Sequence, residues 1–211
     1  SKKPRIFVLD FKGDIRASDT ASLREEVSAI LSIANKKDEV LVRLENPGGT
    51  VHEHGLAASQ LMRIREKGVR LVISVDKVAA SGGYLMACVA DHIIAAPFAI
   101  IGSIGVIAQI PNFNRLLEEK GIDFEQVTAG KHKRTLTMFG KNTDAAREKI
   151  KEELEDVHDL FKNQIEEYRP NIDLVKVATG EHWYGIRALN LNLIDTIKTS
   201  DDYLIERSKK R

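Results

Sequence analysis

Three short stretches of the sequence carry residue types that can do chemistry. Asn46-Pro47-Gly48-Gly49 stands at the end of a predicted strand. Two glycines after a proline leave the backbone bare. Their N–H groups can face outward and, ahead of a helix N-terminus, stabilise a developing negative charge. A plain strand-to-helix turn accounts equally well for such a loop taken alone. The second stretch, Ala80-Ser81-Gly82-Gly83, sets a serine on a small-residue turn between a strand and a buried helix. A nucleophile needs that geometry, because its hydroxyl must project where a carbonyl can approach. The G-x-S-x-G pattern itself is absent, since Ala79 occupies the first glycine position. Taken alone, an N-cap serine is the simpler account.

A serine nucleophile needs a base. The histidines are His52, His54, His92, His132, His158 and His182. His52 and His54 are two residues apart and would face different sides of a helix. His52-Glu53-His54-Gly55 is not the H-E-x-x-H zinc pattern, which argues against a metal site. His158 falls in a charged helix, and His92 follows Asp91 at a strand start, from which it could turn toward Ser81. No histidine has a clear orienting carboxylate, so a Ser-His-Asp triad is unsupported. The alternative is lysine, in the third stretch, Gly130-Lys131-His132-Lys133-Arg134, ahead of Leu136, Met138 and Phe139. A lysine acts as a base only when neutral, so its pKa must fall from about 10.4 toward about 7–8. Apolar burial and nearby positive charge do this. On charge alone, a solvated basic loop remains the simpler reading.

These residues need a scaffold, and the hydrophobic pattern supplies one. Strands are expected at Ile6–Phe11, Glu39–Leu44, Arg70–Val75, His92–Ala95, Ile104–Ala108, Phe124–Thr128 and Leu193–Ile197. A helix capped by Asp19-Thr20 carries Leu23, Val27, Ile30 and Leu31 at helical spacing. A second follows the Pro-Gly-Gly loop with Leu56, Leu61, Met62 and Ile64 inward, and stops at Gly68. Ala79–Cys88 reads as a buried helix, Asn112–Lys120 as a short helix ended by Gly121, and Tyr184–Leu191 as a smaller helical segment. From about Asn142 to Tyr168 the chain is charged and amphipathic, with Ile150, Leu154, Val157, Phe161 and Ile165 on one stripe. That stripe suits an interface or a core equally. The tail from Ser200 is polar and basic. Strands alternating with helices predict a mostly parallel α/β architecture, a single domain over residues 1–211 whose part from about 142 is a C-terminal helical extension.

Composition narrows the function classes. The 211 residues are 43% hydrophobic and 30% charged, which suits a globular chain and excludes a disordered one. Lys+Arg number 32 against 31 Asp+Glu, a net charge of +1 that favours no nucleic-acid partner. The single cysteine, Cys88, excludes an internal disulfide framework. No run approaches the ~20 apolar residues that span a bilayer. The chain opens at Ser1 within a Lys-rich stretch, and the expectation is an excised fragment with any anchor upstream.

Together the motifs are far more specific than any one of them. Asn46-Pro47-Gly48-Gly49, Ala80-Ser81-Gly82-Gly83-Tyr84, Ile101-Gly102-Ser103-Ile104-Gly105-Val106 and Ala129-Gly130-Lys131-His132-Lys133, in this order, resemble the signal peptide peptidase A family. The likeness is strongest to its shorter bacterial SohB branch. Val75–Tyr84, Pro111–Arg115 and Gly180–Gly185 support it, and it runs from Pro4 to about Asp201. The resemblance implies a Clp protease/crotonase-like ββα superhelix and a serine peptidase with a Ser/Lys dyad. It implies Ser81 as nucleophile, Lys133 as general base and Ser103 as the residue that orients the lysine. Backbone N–H groups of Gly48 and Gly82 would form the oxyanion hole, and Tyr84, Ile104 and Val106 would face an apolar peptide. Asn46 is a departure, since relatives often carry serine there. The family needs no cofactor. Its members are membrane-anchored in bacteria, with the protease domain facing the periplasm, and degrade signal peptides and other membrane-associated fragments. In relatives, serine and lysine of one site come from neighbouring subunits or repeats, which implies a ring-like homo-oligomer. Two other readings stay open: a non-catalytic peptide-binding scaffold, and a crotonase-like acyl-CoA enzyme, for which a serine nucleophile is superfluous.

Overall fold

The computed structural model describes residues 3–209, so Ser1, Lys2, Lys210 and Arg211, the ends of the Lys-rich opening and of the basic tail, lie outside the described residues. In chain order the elements are β1 (Ile6–Lys12), α1 (Thr20–Ile33), β2 (Glu39–Glu45), α2 (Val51–Glu66), β3 (Arg70–Val75), β4 (Val78–Ala80), α3 (Gly82–Ala87), β5 (His92–Ala95) and β6 (Ile100–Gly102). There follow α4 (Asn114–Glu119), α5 (Asp144–Tyr168), α6 (Leu174–Val177), β7 (His182–Tyr184), α7 (Gly185–Asn190), β8 (Thr196–Ile197) and α8 (Ser200–Lys209). The chain divides into two compact units: Ser1–Gly105 with Phe161–Arg211, and Val106–Leu160.

The first unit is built on a five-stranded parallel sheet, ordered β1-β2-β3-β5-β8. Val40, Leu41, Val42 and Leu44 are all buried, the continuous apolar run of a strand covered on both faces. On one face Val42 and its register partner Ile73 join Leu23 and Val27 of α1 and Leu61 and Ile64 of α2 in one core. On the other, Leu41, Val72 and Ile94 pack with Tyr203 of α8. Asp76, just past β3, accepts from the Ser200 N–H at 2.9 Å and from its hydroxyl at 2.6 Å, tying down the start of α8. Buried Glu39 accepts from Tyr203 Oη at 2.9 Å and from Arg207 at 2.8 Å. Burial, reinforced by Glu39, pushes the Tyr203 phenol up to about 12.

A smaller sheet, β4-β6-β7, pairs β4 parallel and β7 antiparallel to β6. Asn46 joins it to the large sheet through a parallel bridge to Ala79. Its N–H donates to Val78 O at 2.9 Å, and its carbonyl accepts from Ala80 N–H at 3.0 Å. The loop that follows β2 is thereby anchored to the strand that carries Ser81.

The second unit comprises α4, the loop after it and the first part of α5, and none of its residues is fully buried. Phe139 has ring centroids 6.2 Å from Phe113 and 5.9 Å from Phe124. The Asn112 amide donates to the Thr137 and Gly140 carbonyls, each at 2.9 Å, and closes the loop on itself.

Several sequence expectations need correction. The strand of the Ile100–Ala108 run is Ile100–Gly102, not Ile104–Ala108, because Gly102 at φ +105° and Ser103 at φ +52° end the extended backbone. Phe124–Thr128 forms no strand among the described residues. Ala79–Cys88 is not one helix: Ala79 and Ala80 are in β4, and the backbone turns at Ser81 before α3. On α2 the buried stripe is His54, Ala57, Ala58, Leu61 and Ile64, with Leu56 40% exposed one position off it. Within the part after residue 142, β8 lies inside the expected strand Leu193–Ile197, while β7 adds a strand to the small sheet that the pattern does not mark. Of the α5 stripe, only Phe161 and Ile165 are fully buried.

Candidate active site

Ser81 follows β4 and precedes α3, at φ +52° and ψ −122°. A serine in that region costs about 1–3 kcal/mol and persists only where the surroundings over-determine it. Here they do. The Ser81 N–H donates to Gly102 O at 2.8 Å, and its carbonyl accepts from Tyr84 and Leu85 N–H at 2.9 and 3.0 Å. α3 is fixed in turn by Tyr84, fully buried, whose hydroxyl donates to Leu193 O at 2.8 Å. Ser81 itself stays half-buried.

The Pro-Gly-Gly loop lies directly against this turn. A Cβ on Gly48, at φ +92°, would sit 2.8 Å from Ala80 O, Gly82 N and Ser81 Cβ, so only glycine permits the approach. The expectation that the Gly48 N–H faces a substrate is corrected, because that N–H donates to Asn46 Oδ1 at 2.8 Å. Among the described residues no protein group accepts the N–H of Gly49, the exposed residue that follows. Gly82 is the first residue of α3, where a helix leaves its N–H groups without internal partners.

Ser103 completes the cluster. β4 and β6 pair with Ala80 opposite Gly102, so Ser81 and Ser103 are the next residues on adjacent strands. Ser103 also has φ +52°, is half-buried, and donates its N–H to Glu181 O at 2.7 Å. The first unit therefore brings together Ser81, Ser103, Gly48 and Gly82. Tyr84 and Ile104, expected at a peptide surface, are instead in the core with no exposure, the phenol fully desolvated and already hydrogen-bonded. Burial pushes that phenol far up.

Lys133 and Val106 belong to the second unit. Lys133 is exposed, just past a turn in which its N–H donates to Gly130 O at 3.1 Å. It lines a cavity of about 750 Å³ with Ile110, Phe124, Val127, Leu136 and Phe139. Val106 is half-buried.

The histidines do other things. His92 has Nε2 3.1 Å from Thr196 Oγ1 and Nδ1 3.8 Å from Asp195, and burial pushes its pKa down. His52 is exposed beside Glu53, at 3.9 Å. His54 lies on the buried stripe of α2, reached by stepping back from Ile64 through Leu61 and Ala58. It is fully buried, with Nδ1 2.9 Å from Thr50 O and Nε2 3.2 Å from Asn46 Oδ1. Among the described residues no group of three or more His, Cys, Asp or Glu is placed to hold a metal ion, and no helix is long and apolar enough to cross a membrane.

A half-buried hydroxyl on a strained turn, with unengaged backbone N–H groups around it, can attack a carbonyl and stabilise the resulting oxyanion. Several known proteases are similar to this chain. The chain is 60% identical over 210 residues to "Probable protease SohB" of Buchnera aphidicola subsp. Acyrthosiphon pisum, covering all of this chain and 62% of that protein. It is 57% identical over 210 residues to "Probable protease SohB" of Haemophilus influenzae, covering all of this chain and 60% of the relative. The chain thus spans about three fifths of the length of these curated relatives. A mutant of the 1510-N membrane-bound stomatin-specific protease, solved with a substrate peptide, shares the fold at a TM-score of 0.61 and 15% identity, over 99% of this chain and 81% of that one. The pattern of the peptidase family S49 N-terminal region matches residues 1–61 and that of peptidase family S49 matches residues 63–211. With nearly its whole length matched, the chain belongs to peptidase family S49.

Proposed function

We propose that this chain is the catalytic part of a serine endopeptidase, with Ser81 as nucleophile and Lys133 as general base. The observation that carries the reading is the strained Ser81 turn held against the Pro-Gly-Gly loop, with Ser103 beside it. Neutral Lys133 Nζ takes the Ser81 hydroxyl proton as Oγ bonds to the peptide carbonyl carbon. The carbonyl oxygen becomes an oxyanion held by backbone N–H groups of Gly82 and of Gly49, which replaces Gly48 as loop donor because its N–H is unengaged. Losing one such donor typically costs about 3–4 kcal/mol of transition-state stabilisation. The C–N bond then breaks, and the proton on Nζ passes to the leaving amine. Water hydrolyses the acyl-enzyme by the reverse sequence, with Ser103 orienting the lysine.

The second unit, without a fully buried residue, exposes Ile107, Leu116, Ile122 and Val127, the last at 97%. Such uncovered apolar surface supports assembly. The reading is a ring-like homo-oligomer in which Lys133 of one subunit serves Ser81 of another. The substrates are apolar peptides, signal peptides or other membrane-associated fragments, met at the periplasmic side of a bacterial inner membrane. The substrate peptide bound to the structural relative supports the peptide class.

The test is cleavage of an unstructured apolar peptide mixture by the parent, Ser81→Ala and Lys133→Ala at matched oligomeric state. Products from the parent alone support the dyad. Undiminished cleavage by Lys133→Ala removes the lysine from the mechanism. A folded, oligomeric but silent parent would favour a peptide-binding scaffold.

A further inference from the structure

His54 serves no step of the mechanism above, yet it is the polar side chain packed between the two halves of the oxyanion site. Its Nε2 lies 3.2 Å from Asn46 Oδ1. The same oxygen accepts the Gly48 N–H at 2.8 Å, and a backbone N–H only donates, so the Asn46 amide orientation is determined. That leaves Asn46 Nδ2 toward Met86 Sδ at 3.2 Å, so the His54 bond to this oxygen is made by Nε2–H. Nδ1 lies 2.9 Å from Thr50 O, also an acceptor, and a neutral ring has a single N–H, so it donates to one of these two oxygens at a time. The ring also abuts Gly82: a Cβ there would fall 2.5 Å from His54 Cγ and 2.6 Å from Cδ2. No hydrogen bond joins His54 to Ser81 among the described residues.

We infer that His54 is a positioning residue, which sets the Pro-Gly-Gly loop through Asn46 and the first turn of α3 through Gly82, and so fixes the spacing of the two oxyanion donors. The inference rests on the Ser81 peptidase reading. Its physical basis is burial: a fully buried imidazole is held by its hydrogen bonds, and a buried Asn46 oxygen that loses a donor drags the loop with it. Oxyanion donors act only when pre-placed to about half an ångström. A shift of that loop therefore reduces turnover more than substrate binding.

The experiment compares the parent with His54→Phe, which keeps the volume and removes the ring N–H, and His54→Gln, which retains an amide donor. Asn46→Ala and Ser81→Ala are measured alongside. The readouts are kcat and KM on an apolar peptide, and amide hydrogen exchange at Gly48 in the same folded protein. His54→Phe should lower kcat roughly 10–100-fold with KM within about twofold, and speed Gly48 exchange about tenfold. His54→Gln should recover most of both, and His54→Phe should add little on top of Asn46→Ala. A folded His54→Phe with parental kcat and Gly48 protection overturns the inference while Ser81→Ala is silent. Cleavage by Ser81→Ala at the parental rate overturns the peptidase reading and this inference together. If His54→Phe does not fold, Asn46→Ala removes the same contact from the other side and decides by the same readouts.

Discussion

Ser81 and Ser103 occupy equivalent positions on two paired strands, each one residue past the register pair Ala80 and Gly102, and both adopt φ +52°. The link between them is direct, since the Ser81 N–H donates to Gly102 O. Strain at one serine is thus held by the strand that carries the other.

Ser103→Ala should test the second hydroxyl. Ser103 lies outside the core clusters, so the fold and Tm should change little. If Ser103 orients the base, kcat falls about 10–100-fold with KM within about twofold. Steady-state kinetics on the peptide used for Ser81→Ala decides it, and unchanged kcat removes Ser103 from the mechanism.

Gly48→Ala should stop turnover through backbone geometry. The methyl group meets Ala80 O, Gly82 N and Ser81 Cβ at 2.8 Å, and φ +92° disfavours any L-residue. The loop must move away from Ser81, with a stability loss of about 1–3 kcal/mol and a drop in kcat of at least about hundredfold. Thermal unfolding and peptide cleavage, measured together, separate the two effects.

Tyr84→Phe should affect stability and spare chemistry. The buried hydroxyl donates to Leu193 O, and its removal leaves that carbonyl unpaired. The expected cost is about 1–2 kcal/mol, a Tm drop of roughly 2–6 °C. Activity well below that Tm should stay within about twofold. A large kcat loss in folded Tyr84→Phe would return Tyr84 to the substrate site.

Asp38 should confer pH-dependent stability. The Arg5 side-chain hydrogen bond, acting against burial and helped by the Arg5 and Asn35 backbone N–H groups, lowers the carboxyl from 3.8 to about 2. A carboxyl lowered on folding stabilises above its unfolded pKa and ceases to as pH falls through its folded one. The Tm gap between the parent and Asp38→Asn should therefore be full near neutral pH and close between about pH 4 and pH 2. A constant gap across that range would show that packing, not ionisation, is what Asp38 supplies.

Most elements of the first unit could be read from local pattern. Alternation and apolar runs marked β1, β2, β3 and β5, helical spacing marked α1 and α5, and Gly68 at φ +75° ends α2 where expected. Motif order along the chain was enough to point to the peptidase family and to Ser81. The errors arose where local pattern competes with tertiary placement. Phe124–Thr128 has strand-like residues but no partner ladder, and a strand exists only when paired. The Ile100–Ala108 run is broken by two positive-φ residues that composition does not reveal.

At the site, residue types were legible and hydrogen-bond directions were not. Pro-Gly-Gly announced a bare backbone, yet which N–H is unengaged depended on the Asn46 side chain curling back to Gly48. Tyr84 looked like a surface aromatic beside the nucleophile, but α3 turns it inward to Leu193, 109 residues away. Spacing placed His52 and His54 on different sides of a helix, and only packing of α2 against α3 encloses His54 against Gly82. The sequence by itself determined the family, through the order of its motifs, and most of the parallel α/β layout, through hydrophobic period. The tertiary structure alone decided burial, donor direction and the pairing of Ser81 with Ser103, because those depend on contacts between residues far apart in the chain.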